Sequence, residues 1–479
     1  MLVCCLHSAM LMAESRYQGE KRALCLLLSF SDANIRATNA NNWEKQLNAK
    51  DYVPNKGVGS VRDYFHDMSY GTFDLQFDCL RYRASGTRVS YASSHVNSLT
   101  AAFAPALTEA LQALYADGAL TDEMLARYDW DGDGEVEQVV VICAGPAGQN
   151  MPSPIYIRSH EGTLSSSNAS FKLGLQRINT YAACAELRSD NRTLDGIGGV
   201  VHEMMHCFGL PDFYSKYSSV QSQCYTGMDG FWDVMDIGTY NGDNYNGTIP
   251  PQMTSFERWK AGWLTPVVLD AQDLHVEAMQ PLMEAPVAYL IYNTQSARAQ
   301  DHMFRIPEGV QHKEFYLVEN RASSASFARN GRCWDSPIGT FSGLLIVHVD
   351  YDENNWNSTA PNSRVEHQRM TILPADGNLL GPWHNYLDAS VAADVWSSGD
   401  VSPLTVYHGT SPLPSTLTRI SVDAQGCASF DYHHGLTDGL ASPAMSAGNR
   451  HPVYDPTGRS VAAPRHGLYI VAGRKQFFR

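Results

Sequence analysis

The chain has 479 residues, 44% of them hydrophobic and 18% charged, with a formal net charge of −15. That length suggests about two to four domains, and the acidic balance argues against nucleic acid or an anionic membrane as a partner. No stretch approaches the ~18–20 apolar residues of a membrane span.

Residues 1–19 read as an N-terminal extension. Within it, residues 1–13 (MLVCCLHSAMLMA) resemble the later part of a secretory signal whose positive n-region is missing. The alternative is a frayed N-terminus. Two of the ten cysteines, Cys4 and Cys5, fall here. The other eight show no CxxC spacing and several sit in apolar runs, so they read as buried hydrophobes rather than bridges.

From residue 20 a continuous apolar run to 32 predicts a buried strand. A polar stretch follows. Residues 60–71 then predict a helix with Ser60 as N-cap, Gly71 near its C-cap and an apolar stripe of Val61, Tyr64, Phe65 and Met68. His66 stands alone there and reads as surface or packing. Residues 73–83 alternate as a strand, and 97–118 form an amphipathic Ala/Leu-rich helix.

Asp129, Asp131, Asp133 and Gly134 match the first half of an EF-hand loop, with Glu135 at the seventh position, where a backbone carbonyl serves. The twelfth position is Val140 instead of a bidentate Glu, so this is not an EF-hand. Glu137 is the substitute ligand, and structural calcium is the cation expected. The competing reading is an acidic turn leading into a strand. Short strand-like pieces follow at 153–160 and 168–185.

Residues 194–209 predict a buried helix, because Val200, Val201, Met204, Met205, Cys207 and Phe208 make it strongly apolar. Into this helix the chain places His202, Glu203 and His206. The two histidines are i and i+4, hence on one face and one turn apart. That is the reach of two imidazoles onto one zinc at about 2.0–2.1 Å. Glu203 lies about 100° round the helix, placed to act on a water without being a ligand. Gly209 can end the helix in the left-handed region, Pro211 cannot continue it, and the reversed chain brings Asp212 back as third ligand. The alternative is two satisfied core histidines beside a chance Glu. A random H-E-x-x-H in a chain this long has a probability of roughly 2%, so the metal site is the stronger reading. Cys207 points away from the histidines and is not assigned as a ligand.

Residues 227–238 predict a tight turn carrying Met235. Residues 250–264 predict a proline-started helix burying Met253, Phe256, Trp259 and Trp263. Pro266 marks a boundary. Beyond it, short apolar runs between turn residues predict an all-β, sandwich-like module. His433 and His434 near its end face opposite sides of a strand and cannot share a metal. The domains expected are therefore 20–266 and 267–435, then a small-residue linker at 436–452 and a short β-like tail at 453–479 with a basic end.

With these residues in view, the chain resembles the immune inhibitor A family of secreted bacterial metallopeptidases. The matching pieces are H-E-M-M-H-C-F-G-L-P-D (202–212), G-S-V-R-D-Y-F with S-Y-G-T-F-D-L (59–75), D-x-D-G-D-G-x-V (129–136) and W-D-V-M (232–235). Further matches are R-W-K-A-G-W-L (258–264), Y-L-V-E-N-R (316–321), G-L-L-I-V-H-V-D (343–350) and P-A-D-G (374–377), in order along the chain. The resemblance implies an α+β zincin-type catalytic domain. It implies zinc on His202, His206 and Asp212, Glu203 as base, and Met235 in a turn beneath the metal. The family commonly has Ser-Tyr after that methionine, where this chain has Asp236-Ile237. The oxyanion-stabilising tyrosine therefore has no direct counterpart, and Tyr240 and Tyr214 are weak candidates. The last 27 residues resemble a C-terminal secretion tail of the type IX sort. The function expected is a secreted or cell-surface zinc endopeptidase acting on proteins or peptides, its tail read by a secretion machinery. The rivals are a binding protein with a structural metal and a metal hydrolase acting on some other amide.

Overall fold

The computed structural model describes residues 16–434 apart from 54–56, 93–97, 149–155, 166–170, 217–227, 229, 271, 301–304, 324–328, 330, 359–360, 365–366, 378–390 and 402–414. It also describes the backbone of three tail strands at 453–454, 467–471 and 474–478. The signal-like residues 1–13 and the linker 436–452 lie outside the described residues. The architecture is mixed: several sheets, with few helices around them.

The apolar run after residue 20 is a strand, β1 (Gly19–Ser29), an inner strand of a five-stranded sheet. Its companions are β2 (Phe73–Arg83), β3 (Val139–Pro146), β4 (His160–Thr163) and β5 (Thr180–Leu187), in the order β2-β1-β3-β5-β4. All neighbours are parallel except β4, which runs antiparallel along β5 and forms one edge. β1 is apolar without alternation because both of its faces are covered. Ala23, Cys25 and Leu27 enter one apolar cluster, Leu24, Leu26 and Leu28 the other. On the second face lies the helix Leu99–Ala116, through Phe103, Leu107 and Leu111.

The first face carries the helix with the histidines, Gly198–Cys207, which buries Val200, Val201, Met204 and Met205. Burying side chains of this size is worth about 1.5–3 kcal/mol each, enough to hold a short helix that starts on two glycines. Beside it lie Val61–Met68, with Ser60 as the expected N-cap, here in a capping box with Asp63, and a helix at Ala37–Asn48. The latter falls in the stretch that reads as merely polar. Ala40, Trp43 and Leu47 recur at 3–4 spacing and are buried, and the Trp43 indole donates to the Glu186 carbonyl at 3.2 Å.

The helix expected at 250–264 is shorter, Ser255–Lys260. Thr254 and Glu257 form a capping box that sets its start beyond the two prolines, and Gly262 at φ +79° follows its end.

After residue 266 the chain builds two further sheets. Met370–Ile372, Ser342–Asp350, Glu314–Ala322, Tyr289–Tyr292 and Val267–Val268 form one, in that spatial order. Leu274–Met279, Ala428–His434, Ser415–Val422 and Ser398–Val401 form the other. Tyr316, Val318, Leu344 and Ile346 meet Leu417, Ile420, Phe430 and Tyr432 in a third apolar cluster between them. The tail strands pair as a small antiparallel sheet. Among the described residues no helix is long and apolar enough to cross a membrane.

The apolar core does not stop at the expected boundary. Phe315, Leu317, Leu345 and Val347, on the other face of the five-stranded sheet, join the cluster that holds the histidine helix. Fully buried polar contacts cross it as well. The Ser255 N–H donates to Glu319 Oε2 at 2.6 Å, the Gln252 N–H to Asp335 Oδ1 at 3.0 Å, and Arg258 to the Leu282 carbonyl at 3.3 Å. A fragment ending at residue 266 leaves this surface open and takes from Arg258 its contacts to the Leu282 carbonyl and the Met283 sulfur. Such a fragment is expected to lack fixed tertiary packing. Loss of near-UV circular dichroism with retained far-UV signal checks this. A cooperative unfolding transition in the fragment contradicts it.

Candidate metal centre

His202 and His206 lie one turn apart on the Gly198–Cys207 helix, as their spacing dictates. Each ring is fixed from behind. His202 Nδ1 donates to the Val234 carbonyl at 2.7 Å, and His206 Nδ1 to the Leu210 carbonyl at 2.8 Å. A carbonyl can only accept, so each Nδ1 carries the hydrogen and each Nε2 presents a lone pair. Both Nε2 atoms stand 3.1 Å from Asp212 Oδ1. The chain reaches Asp212 because Gly209, at φ +92°, turns it back. The Gly209 N–H donates to the His206 carbonyl at 2.8 Å and the Leu210 N–H to the Met205 carbonyl at 3.2 Å.

Three acceptor atoms therefore meet in a buried place, and among the described residues nothing but the two imidazoles stands against Asp212 Oδ1. Donor atoms at about 2.0–2.1 Å from a tetrahedral zinc are spaced by roughly 3.3 Å. The 3.1 Å separations are close to that edge. Ligand atoms of His202, Glu203 and His206 also fall within 4.8 Å of one another. Of the two carboxylates, Asp212 fits the ligand position, because one oxygen sits equidistant from both imidazoles. Glu203 fits a group acting on a water held beside them. Asp212 Oδ2 is engaged by Lys216 Nζ at 2.5 Å.

The electrostatics follow from burial and crowding. Burial opposes the charge on His202, but Asp212 and Glu203 outweigh it and raise the imidazole to about 9. Burial likewise opposes charge on Asp212, and here His206 and His202 win, holding the carboxyl well below its ordinary range. Glu203 goes the other way. Burial raises it, and the two imidazoles recover only part of the shift. A carboxyl with a raised pKa in a cleft suits proton transfer.

The turn at Trp232–Met235 holds both ends of this arrangement. Val234 supplies the acceptor for His202, and the Met235 carbonyl accepts the Phe213 N–H at 2.9 Å, next to Asp212. Asp233 Oδ1 accepts the Met235 N–H at 2.7 Å. Gly198 lies against the segment after the turn; a Cβ there would fall 1.9 Å from the Thr239 carbonyl oxygen.

The centre opens on a cleft of about 620 Å³. Edge strand β4 supplies His160 and Glu161 to its lining, and the segment after the methionine supplies Asp236, Ile237, Thr239 and Tyr240. Tyr214 also lines it, its ring stacked 6.4 Å from that of His202, so both candidate tyrosines face the cleft. Cys207 turns its thiol to the Glu203 carbonyl, away from the ligands, as the helix geometry predicts. Lys216, Glu161, Thr239 and Asp195 are among the lining residues that sequence reasoning misses. Only Lys216, four residues after Asp212, carries a local signal.

No family model and no curated protein matches the chain.

The acidic loop is a second candidate site. Asp129, Asp131 and Glu137 bring one carboxylate oxygen each within 4.8 Å of one another. The Asp133 and Glu135 carboxylates stand outside that group; the contribution expected of Glu135 is its backbone carbonyl. Asp133 Oδ1 accepts the Glu135 N–H at 2.8 Å, and the Glu135 carboxylate pairs with Arg177. Glu137, the substitute ligand, accepts the Trp130 N–H at 2.6 Å. Burial first, then Asp131 and Asp129, push its carboxyl up to about 7 despite that hydrogen bond.

Without a cation, folded Glu137 thus keeps a proton between pH 4.5 and about 7 that the unfolded chain has lost. In that window the folded state binds more protons, so this contribution to stability falls as pH rises from 4.5 to 7. Calorimetric Tm values with and without calcium are expected to show the fall only in the chelated protein. The Glu137→Gln variant is expected to flatten it. Calcium at 100 Kd adds about 2.7 kcal/mol.

Proposed function

We propose that the chain is a zinc-dependent endopeptidase of the zincin type, related to the immune inhibitor A family and exported from the cell, with calcium in the Asp129–Glu137 loop. One observation carries the reading. His202 Nε2, His206 Nε2 and Asp212 Oδ1 converge while Glu203 stands beside them on an open cleft. Three protein ligands leave a coordination position free, which distinguishes a catalytic from a closed structural zinc site.

Zinc, when bound, polarises a carbonyl and lowers the pKa of water toward neutrality. The protein supplies the rest. Glu203 takes the proton of the attacking water and returns it to the leaving amine. Its raised carboxyl suits both halves of that exchange. Strand β4, paired with β5 on one side only among the described residues, offers its other edge to an extended peptide, whose main chain adds as a further strand. Tyr214 and Tyr240 line the same cleft and are the hydroxyls available to a developing oxyanion.

Glu203→Gln is expected to keep zinc and lose about 10²–10⁴ of casein cleavage. Metal analysis and a chelator-controlled digest check both halves, and near-normal cleavage rejects the mechanism. Asp212→Ala is expected to release zinc on dialysis; full retention would assign the third ligand elsewhere.

Export rests on the tail, whose strands at 453–454, 467–471 and 474–478 pair as a unit of their own. Removing 453–479 is expected to leave the protein inside a producing cell. Unchanged export on fractionation rejects this part of the reading.

A further inference from the structure

We propose that the cleft beside the first turn of the histidine helix is a pocket for a cationic side chain, lysine or arginine, adjacent to the bond that is cut. The inference rests on the peptidase reading and names the substrate class of that same cleft.

Space comes first. Gly199 lies three residues before His202, one turn back on the same face. A Cβ added there would meet no heavy atom within 4 Å, and Gly199 lines the cleft beside His202. The helix therefore leaves a void next to the metal ligands. Asp195, Ile237, Thr239 and Tyr240 line the same cleft.

Two of these walls carry polar groups whose hydrogen-bonding capacity is not filled among the described residues. The Thr239 residue is 7% exposed, and its hydroxyl is buried with no hydrogen-bond partner among the described residues. Asp195 Oδ1 accepts the Gly196 N–H at 3.0 Å, and no further hydrogen bond reaches the carboxylate among the described residues. Arg188, whose charge bears on Asp195, donates instead to the Asn244 and Tyr245 carbonyls at 3.0 and 3.3 Å. Burial accordingly holds the Asp195 carboxyl up at about 7, against the pull of the Gly196 N–H and Arg188. The carboxylate lacks a close counter-charge.

A cation answers each of these features. An ammonium brings three donors and a guanidinium five, for the Asp195 carboxylate and the Thr239 hydroxyl together. The aliphatic stem packs along Ile237 and Tyr240 while the head reaches the polar end. An apolar side chain of the same length leaves both groups unmet, and an acidic one faces Asp195. The other cations lining the cleft do not compete: Lys216 is held on Asp212, and Arg158 belongs to the approach to β4. A site built to hydrogen-bond a charged group discriminates against an analogue lacking it by about 10- to 100-fold.

The test uses the full chain loaded with zinc. A peptide-library digest read by mass spectrometry is expected to show lysine and arginine enriched at one of the two positions flanking the cut. Between a lysine peptide and its norleucine counterpart, the kcat/KM ratio is expected to be 10 to 100 in the parent and near one in Asp195→Asn. Thr239→Val is expected to lower it severalfold, which keeps the test open should Asp195→Asn fail to fold. A second readout is binding to zinc-loaded Glu203→Gln: the lysine peptide binds at least about tenfold tighter, and adding Asp195→Asn removes the difference. Cleavage without a basic preference, or a ratio unmoved in Asp195→Asn, overturns the pocket and leaves the peptidase reading standing. Absence of all cleavage together with the binding difference supports the pocket and overturns the peptidase reading instead.

Discussion

Contacts from the helix end and from the turn at Trp232–Met235 hold three hydrogen-bond acceptors together. His202 Nε2, His206 Nε2 and Asp212 Oδ1 lie 3.1 Å apart in pairs with Asp212, in a setting where an unpaired carboxylate is costly. Such a meeting is stable only if something positive sits in it. In the protein alone a proton takes that place, which is why His202 is held up near 9. A metal ion bound there would have to displace that proton, so metal and acid would compete for one set of lone pairs. The fold resists relaxation of the three atoms by fixing what lies behind them. One imidazole leans on the end of its own helix through Leu210, the other on a separate turn through Val234. The segment after Asp212 is tied to that same turn by the Phe213 N–H.

The turn in its place depends on a buried set of charges drawn largely from beyond residue 266. Asp233 caps the Met235 N–H and lies against Glu257, and burial pushes both carboxyls upward. Two buried carboxyls in contact hold one proton between them, because both cannot ionise at that distance. Arg321, wholly buried, balances Glu319 and Asp335 at 2.9 Å each and lies over the Trp232 ring at 5.3 Å. The Trp232 indole donates to Asp394 at 2.7 Å. Charges this deep destabilise a fold unless every partner is in place. Here the partners come from the five-stranded sheet and its loops, so that sheet braces the site instead of forming a separate module.

What the chain discloses before folding follows from which interactions are local. The spacing of His202, Glu203 and His206, the left-handed Gly209 and the return to Asp212 all act within eleven residues, and the structure reproduces each. The acidic loop is half legible. Asp129, Asp131 and Glu137 gather as a local pattern suggests, but the Asp133 carboxylate stands outside the group, and the Glu135 side chain is taken up by Arg177, forty-two residues away. The helix at Ala37–Asn48 is hidden by its polar composition, since three apolar side chains suffice to bury one face. Pro250 and Pro251 look like a helix start, yet the Thr254–Glu257 box is the stronger local signal. Pro266 marks a true change of texture, but texture reports strand spacing and not where a core ends. Asp195 and Thr239 carry no local pattern. They matter only because Gly198 packs against the Thr239 carbonyl and brings two loops to one wall.

The two candidate cation sites are joined by a short chain of aromatic contacts, and this gives the acidic loop a reason to be ordered. Trp130 sits within the loop, its N–H on Glu137 and its indole on the Arg22 carbonyl at 2.7 Å. Its ring meets Tyr17 edge-on at 6.2 Å, and Tyr17 stacks at 3.9 Å on Phe208, the residue that closes the histidine helix. Phe208 in turn packs on Phe65 and Trp263. Aromatic pairs of this kind add about 0.5–1.5 kcal/mol each beyond their burial. A loop that repels itself through three carboxylates would loosen Trp130 and, through Tyr17, the end of the helix from which His206 projects. A cation in the loop would remove that repulsion, and the packed aromatic rings connect the loop to the end of the helix that carries His202 and His206.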